Sequence, residues 1–345
     1  MPSIRDVAKV AGVSPASVSR ILNKDPDFHI NVNTRKRVLE TAKRLNYSKT
    51  KNKRGPKGKK GMSIGLILRH TAENEPGDPY FKNIHDGITD EAAKWRLDTN
   101  VVFRMHDKNK DWEELSKYGA VILVGQMTND AIKRIKSLNE NVILVDANPD
   151  LDYCDYIQND FTDKTTQILN HLYELGHRNI AFIGGNSSIV DMDGNTIPLK
   201  GDSRAVTYSN WMKIKELNKY EHSYISDWSI EDGFEMCNKM IDELDELPSA
   251  IIVASDPMAL GVYKSLNNHH ISIPDQVSII SFDDVEMNRY LTPSLSSVYM
   301  DSREMGKTAV RLAKDMMIEK SANTMPLVIT CRSQLRLRDS VTKKV

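Results

Sequence analysis

At 345 residues the chain is longer than one ordinary hydrophobic core requires, and no apolar run approaches the roughly eighteen residues of a membrane-spanning helix. Its 47 basic and 47 acidic side chains cancel, yet residues 1–60 hold sixteen Lys and Arg against four acids, leaving 31 against 43 in the rest. That basic head on an acidic body is the footprint of a nucleic-acid binder, because neutralising phosphates releases counterions. The acidic body discourages the remainder from adhering to DNA. Cys154, Cys237 and Cys331 are odd in number, far apart and without metal-ligand spacing. They predict structural thiols in a reducing compartment, with no metal and no cofactor.

The first residues predict two short helices joined by a glycine turn. Ser3 is a candidate cap with Asp6 three residues on, and Ile4, Val7, Ala8 and Ala11 recur at helical spacing. Gly12 ends that helix; Ser14 is a second cap, and Pro15 takes the first helical position, where a missing N–H costs nothing. Val18, Ile21 and Leu22 then face inward, leaving Pro15, Ala16, Ser17, Ser19 and Arg20 outward. Such a short, hydroxyl-bearing face suits close approach to bases and phosphates, although any small helical hairpin has caps and an apolar stripe.

A third helix is expected over about 32–45, capped by Asn31 or Asn33, with Val32, Val38, Ala42 and Leu45 packing on the first two. Thr34, Arg35 and Lys36 lie at its start, where free N–H groups can hold a phosphate. Residues 48–61, rich in Lys, Gly and Pro, read as a flexible basic linker, with Lys53, Arg54 and Lys57 as expected phosphate contacts.

From Met62 onward short apolar runs alternate with amphipathic stretches. The runs are 62–68, 101–105, 120–124, 141–147, 180–184, 250–254, 277–282 and 295–300. Val- and Ile-rich runs of this length, each followed by a helix, predict an α/β body of two doubly wound parallel-sheet lobes. Ligands of such folds sit beyond the carboxyl ends of the strands. The residues there are Arg69-His70, Gly125-Gln126, Asp146, Gly184-Gly185-Asn186, Ser255-Asp256 and Asp283-Asp284, with Arg204 and Trp228 in the second lobe. Carboxylates and amides pair with sugar hydroxyls, and an aromatic ring stacks on the apolar face of a sugar. Any single Asp after a strand can equally be only a helix cap.

The order Ile-Arg-Asp-Val-Ala (4–8), Ala-Gly-Val-Ser (11–14) and Ser-Val-Ser-Arg-Ile-Leu-Asn (17–23) closely resembles the N-terminal signature of the LacI/GalR family of bacterial transcription regulators. Residues 78–81, 175–185, 253–262 and 273–284 are similar to further landmarks of that family, so the resemblance covers essentially the whole chain. It implies an all-α helix-turn-helix head and a body of periplasmic-binding-protein type. The implied DNA contacts are Ser3, Ser14, Pro15, Ala16, Ser17, Ser19, Arg20, Asn23, Asn31 and Thr34. Arg204, Asp283 and Ser255 fall where effector hydroxyls are held, and Trp228 where a sugar ring stacks. Asp146 resembles the acidic contact of lactose-type repressors, and Tyr80 belongs to the 78–81 landmark. The chain departs from the family at its hinge, where Lys49-Thr50 replace Pro-Asn and Pro56 stands near the minor-groove leucine. Ser255 and Pro257 depart from the amide-bearing residues of the lactose repressor. The combination of Asp78-Pro79-Tyr80, Val124-Gly125 and Trp228-Ser229 points to galactosides.

The resemblance implies a cytoplasmic homodimeric repressor of sugar-utilisation genes, with operator DNA and a small sugar effector as partners and no membrane. Expected boundaries are a head over 1–47, a linker over 48–61 and a body over 62–345. The lobes are expected to comprise about 62–158 plus 290–323, and 159–289 plus 324–340. No apolar heptads follow Arg338, so no tetramerising coiled coil is expected. The alternative is a sugar-binding α/β protein with catalytic activity on a carbohydrate. Against it, no G-x-G-x-x-G, Walker, G-x-S-x-G or H-E-x-x-H motif appears, and His70, His177, His269 and His270 have no identifiable nucleophile. An exported transport receptor shares such a body but begins with a signal peptide rather than this head. Residues 191–195 superficially resemble a calcium loop, but Thr196 and Asp202 stand where Gly and Glu would be needed; a solvent loop partly covering the cleft is expected instead.

Overall fold

The computed structural model describes residues 4–22, 28, 30–45, 62–147, 151–319 and 325–344. The chain divides into two compact units, 1–57 and 58–345. In the first, α1 (Ile4–Ala11), α2 (Pro15–Leu22) and α3 (Val32–Arg44) enclose Val7, Ala8, Ala11, Val18, Ile21, Val38 and Ala42. Gly12 turns the chain out of α1 at φ +65°, and the Val13 N–H closes on the Ala8 carbonyl at 3.1 Å. The left-handed residue permits this helix stop without a Cβ penalty. Arg37 Nε donates to the Ala11 carbonyl at 3.0 Å, capping α1 from α3. Asn31 caps α3 through the Asn33 N–H. Val32, expected in this core, is instead exposed, because the first residue of α3 turns away from α1 and α2.

The second unit runs in chain order through β1 (Ser63–Leu68), α4 (Pro79–Lys94), β2 (Asp98–Arg104), β3 (Ala120–Val124), α5 (Asn129–Leu138) and β4 (Val142–Val145). It continues with β5 (Asp155–Asn159), α6 (Phe161–Glu174), β6 (Ile180–Gly185), the hairpin β7 (Ser188–Val190) and β8 (Thr196–Pro198), and α7 (Ser203–Ile214). Then come β9 (His222–Ser226), α8 (Ile230–Glu243), β10 (Ala250–Val253), α9 (Asp256–Asn268) and β11 (Ser278–Asp283). The chain closes with β12 (Ser296–Tyr299), α10 (Ser302–Glu319), β13 (Val328–Cys331) and β14 (Gln334–Arg336).

Two six-stranded sheets result, ordered β13-β5-β4-β3-β1-β2 and β14-β12-β11-β10-β6-β9. Every pairing in the first is parallel; in the second only β14 runs antiparallel, against β12. Each sheet is buried on both faces by its helices, which is why β3, β4 and β10 read as unbroken apolar runs. Strand order reverses between β1 and β3 and between β6 and β10. These switch points open a crevice at the strand ends.

The chain crosses between lobes at 159–161, 300–302 and 331–334. This corrects the expected segments. β12, placed with the first lobe, pairs with β11 in the second, and β13, placed with the second, pairs with β5 in the first. The local pattern marks a strand but not its neighbour, and here neighbouring segments alternate between sheets. Residues 191–195 form a solvent-exposed turn, as expected, and this turn belongs to the β7–β8 hairpin, whose Val190 is wholly buried among first-lobe residues. The Asp191 carboxylate accepts from the N–H groups of Asp193 and Asn195 and from the Asn195 amide, an Asx-type turn.

Candidate functional site

In the head, Ser14 opens α2. Its hydroxyl accepts from the Ser17 N–H at 3.1 Å and lies 2.9 Å from the Ser17 hydroxyl, so both hydroxyls are engaged in capping. Pro15 and Arg20 are exposed, and Ser17 and Ser19 partly so. The Arg20 guanidinium lies 5.4 Å from the Phe28 ring centroid, which stiffens a long side chain. Asn31 spends its amide oxygen on the Asn33 N–H at 2.8 Å. Thr34 is partly buried, and the neighbouring Arg35 donates to the Phe28 carbonyl at 3.2 Å. Ser3, Asn23, Lys53, Arg54, Lys57 and the side chain of Ala16 lie outside the described residues.

In the body, the crevice gathers the predicted effector residues from both lobes. Tyr80, on the first turn of α4, donates to Asp146 Oδ1 at 2.8 Å and accepts from the Asn159 amide at the end of β5. Burial and then the Asp146 carboxylate push the Tyr80 phenol well above its ordinary pKa, so it remains a donor. Asp146 follows β4 in a left-handed conformation, φ +56°. Burial raises its pKa, opposed by the Tyr80 hydrogen bond and by Arg204 and Arg69.

Arg204, on α7, is 7% exposed. Its Nε and Nη2 donate to the two carboxylate oxygens of Asp202 at 2.6 and 2.9 Å, and Nη1 donates to the Ala254 carbonyl at 2.7 Å. Phe161, Trp228 and Phe282 surround its guanidinium at 4.2, 4.9 and 5.5 Å. Burial alone would lower its pKa, but Asp202, then Asp283 and Asp146, raise it above the ordinary value. The cation is therefore permanent, bidentately fixed and walled by rings. Trp228 donates its indole N–H to the Asn186 carbonyl at 2.9 Å. A Cβ added at Gly185 would lie 2.3 Å from the ring, so the glycine makes room for the indole.

Asp283 ends β11 at φ +102°, a strained geometry for a residue with a Cβ. Burial, then the neighbouring Asp256, pushes its carboxyl well above the ordinary range. Asp256 is itself buried and accepts from the hydroxyls of Ser281 and Ser297 and from the Val285 N–H, with its pKa raised by burial to about 6. The Ser255 hydroxyl accepts from the Met258 N–H at 3.5 Å as the cap of α9. A cap is the common use of Ser after a strand.

Sequence reasoning missed Asn159, Phe161 and Asp202 as members of this site. Asn159 ends a polar edge-side strand, Phe161 reads as an ordinary helix residue, and Asp202 draws notice in the sequence only by standing where a calcium loop needs Glu. The Asp202-x-Arg204 spacing was the available signal, since it brings both side chains to the start of one helix. Asp284, beside Asp283, instead pairs with Arg336 and Arg338, both at 2.6 Å, and anchors the C-terminal strand. Among the described residues no group of three His, Cys, Asp or Glu could hold a metal ion, and no helix is long and apolar enough to cross a membrane.

Comparison with known proteins gives two family matches: bacterial regulatory proteins of the lacI family over residues 3–49, and a periplasmic binding protein-like domain over residues 169–341. The chain is similar to the HTH-type transcriptional repressor MelR of Bacillus subtilis (strain 168), at 30% identity over 345 residues, 99% of this chain and 97% of that one. Its fold is similar to that of the transcriptional regulator CelR in complex with cellobiose, with TM-score 0.67 and 20% identity over 99% of this chain and 100% of the other. It is equally similar to the lac repressor dimer bound to operator and the anti-inducer ONPF, with TM-score 0.67 and 20% identity over 99% of each chain.

Proposed function

Because the chain belongs to the lacI family of bacterial regulatory proteins, which are DNA-binding transcriptional regulators, we propose that it represses sugar-utilisation genes from the cytoplasm as a homodimer. Two heads related by a dyad read the half-sites of a near-palindromic operator in successive major grooves, with Ser14 presenting α2 and Arg20 as the main reader. Lys53, Arg54 and Lys57 supply phosphate contacts. The lac repressor, which shares the fold, is a dimer on its operator.

A small sugar of galactoside type is the proposed effector. The observation that carries this reading is the fixed Arg204 cation, walled by Phe161, Trp228 and Phe282 and faced by Asp146 and Asp283. A sugar offers hydroxyls to the carboxylates and to the two guanidinium N–H bonds that Asp202 and Ala254 leave over, and its apolar face to a ring. CelR, of the same fold, holds cellobiose. Binding without turnover is expected. Occupancy shifts the body between DNA-competent and incompetent states by as much as the sugar discriminates between them, typically ~1–3 kcal/mol. A thermal-shift screen of galactose, lactose, raffinose-type sugars and glucosides, followed by operator binding with each hit, tests the reading. A sugar that stabilises the body and changes operator affinity supports it; hydrolysis of the sugar, or operator affinity indifferent to every stabilising sugar, overturns it.

A further inference from the structure

The β7–β8 hairpin lies where a doubly wound lobe needs only a short strand-to-helix connection, between β6 and α7. It leaves its own lobe and docks on the other. Val190 is 0% exposed among Phe103, Met105 and Met127 of the first lobe. Its N–H donates to the Gln126 carbonyl at 3.1 Å and its carbonyl accepts from the Thr128 N–H at 3.0 Å, making a parallel bridge with Met127. Arg69 donates to the Ser188 carbonyl at 3.2 Å and hydroxyl at 2.9 Å. Near the turn, His106 donates to the Gly194 carbonyl at 3.1 Å and Lys110 to the Met192 carbonyl at 3.0 Å.

The position of these contacts gives them meaning. The three covalent crossovers leave the sheets beside β5, β13, β12 and β14, at one edge of each sheet. The hairpin grips residues that follow β1, β2 and β3, towards the opposite edge, and springs from β6 beside edge strand β9. The crevice is therefore bounded by covalent connections at one edge and by a non-covalent strap at the other. Arg69, which the strap holds, lies close enough to Asp146 to influence its titration, so the strap is continuous with the effector site.

Resting on the reading of this crevice as a sugar site, we propose that the β7–β8 hairpin is the gate and length stop of that site. Ligand enters and leaves when Val190 undocks from the first lobe, and the docked strap admits a mono- or disaccharide while excluding longer chains. Val190 and Ser188 are positioning residues in this scheme, because they act through Arg69 and the strap.

The test uses the full chain. A Met127→Cys/Val190→Cys variant joins the two bridge partners by a disulfide that reductant opens. The oxidised form is expected to exchange sugar at least about tenfold more slowly than the reduced form, with little change in affinity. Val190→Ser is expected to speed association and dissociation together by about tenfold and to extend binding along the series galactose, melibiose, raffinose, stachyose. Equal exchange rates in the two redox forms, or an unchanged length profile in Val190→Ser, overturn the proposal. If no sugar binds the unaltered protein, the sugar reading falls, and hydrogen exchange judges the strap separately. Val190 and Thr128 amides are expected to open together, well before β3 and β4. Exchange as fast as free loop, or only with global unfolding, overturns the gate.

Discussion

Asp202 grips the Arg204 guanidinium with both carboxylate oxygens, at 2.6 and 2.9 Å, in a setting where Arg204 is 7% exposed. The pair fixes the plane of the cation and so the direction of its remaining N–H bonds. Removing one partner of a buried pair leaves an uncompensated charge and costs about 3–5 kcal/mol. Asp202→Ala is therefore expected to lower the stability of the body by that order in denaturant melts. Arg204→Lys, which keeps the charge but loses the fork, is expected to abolish detectable sugar binding by calorimetry while the protein remains folded. Full sugar affinity in Arg204→Lys would show that the guanidinium geometry is irrelevant.

Gly185 and Trp228 form a second such relationship. A methyl group at 185 would lie 2.3 Å from the indole, so Gly185→Ala must displace the ring. Sugar affinity is expected to fall about tenfold or more, the scale of about 1.4 kcal/mol, with operator affinity in the absence of sugar unchanged. The intrinsic Trp fluorescence response to sugar should change with it. An unaltered response would mean that Trp228 does not stack on the ligand.

Asp283 gives a pH signature. Its folded pKa is raised well above the ordinary value, so the folded state holds this proton more tightly than the unfolded chain. That contribution to stability is present below the unfolded carboxyl pKa of about 3.9. It is lost as pH rises from there through the folded pKa. Asp283→Asn removes the titration with little change of shape. Thermal melts should show the variant gaining on the parent as pH is raised from about 4 to 8, and a stability difference independent of pH would contradict the assignment.

On DNA, Arg20→Ala is expected to weaken operator binding by about 1–3 kcal/mol and leave sugar binding intact. Replacing Lys53, Arg54 and Lys57 by Ala should instead reduce the salt dependence, by about 0.9 in log–log slope for each phosphate no longer neutralised. Anisotropy titrations at several salt concentrations separate the two. An unchanged slope would mean that the linker does not touch phosphate.

Much of this architecture is legible in the residues. The caps at Ser14 and Asn31 and the stop at Gly12 follow from local chemistry, and β3, β4, β6, β10 and β11 follow from runs buried on both faces. β5, β9, β13 and β14 escaped because strands at or near a sheet edge alternate with polar residues, as in Asp-Tyr-Ile-Gln-Asn. The allocation of β12 and β13 between lobes escaped because pairing partners are chosen at long range. Within the crevice, Arg204, Trp228 and Asp146 were readable from motif and position. The hairpin was not: Val190 has the sequence context of a loop, and only the structure shows it buried in the other lobe.

The interleaving of the last strands has a consequence for the order in which the molecule can be made. Each sheet takes an edge strand from residues 328–336, β13 for the first and β14 for the second. During synthesis neither lobe can be completed until nearly the whole chain has left the ribosome, whereas the third helix of the head ends at Arg44. A nascent chain thus carries a finished DNA-reading unit long before the part that controls it exists. A premature stop shortly before residue 328 removes the edge strands of both sheets at once and leaves the three helices of the head whole.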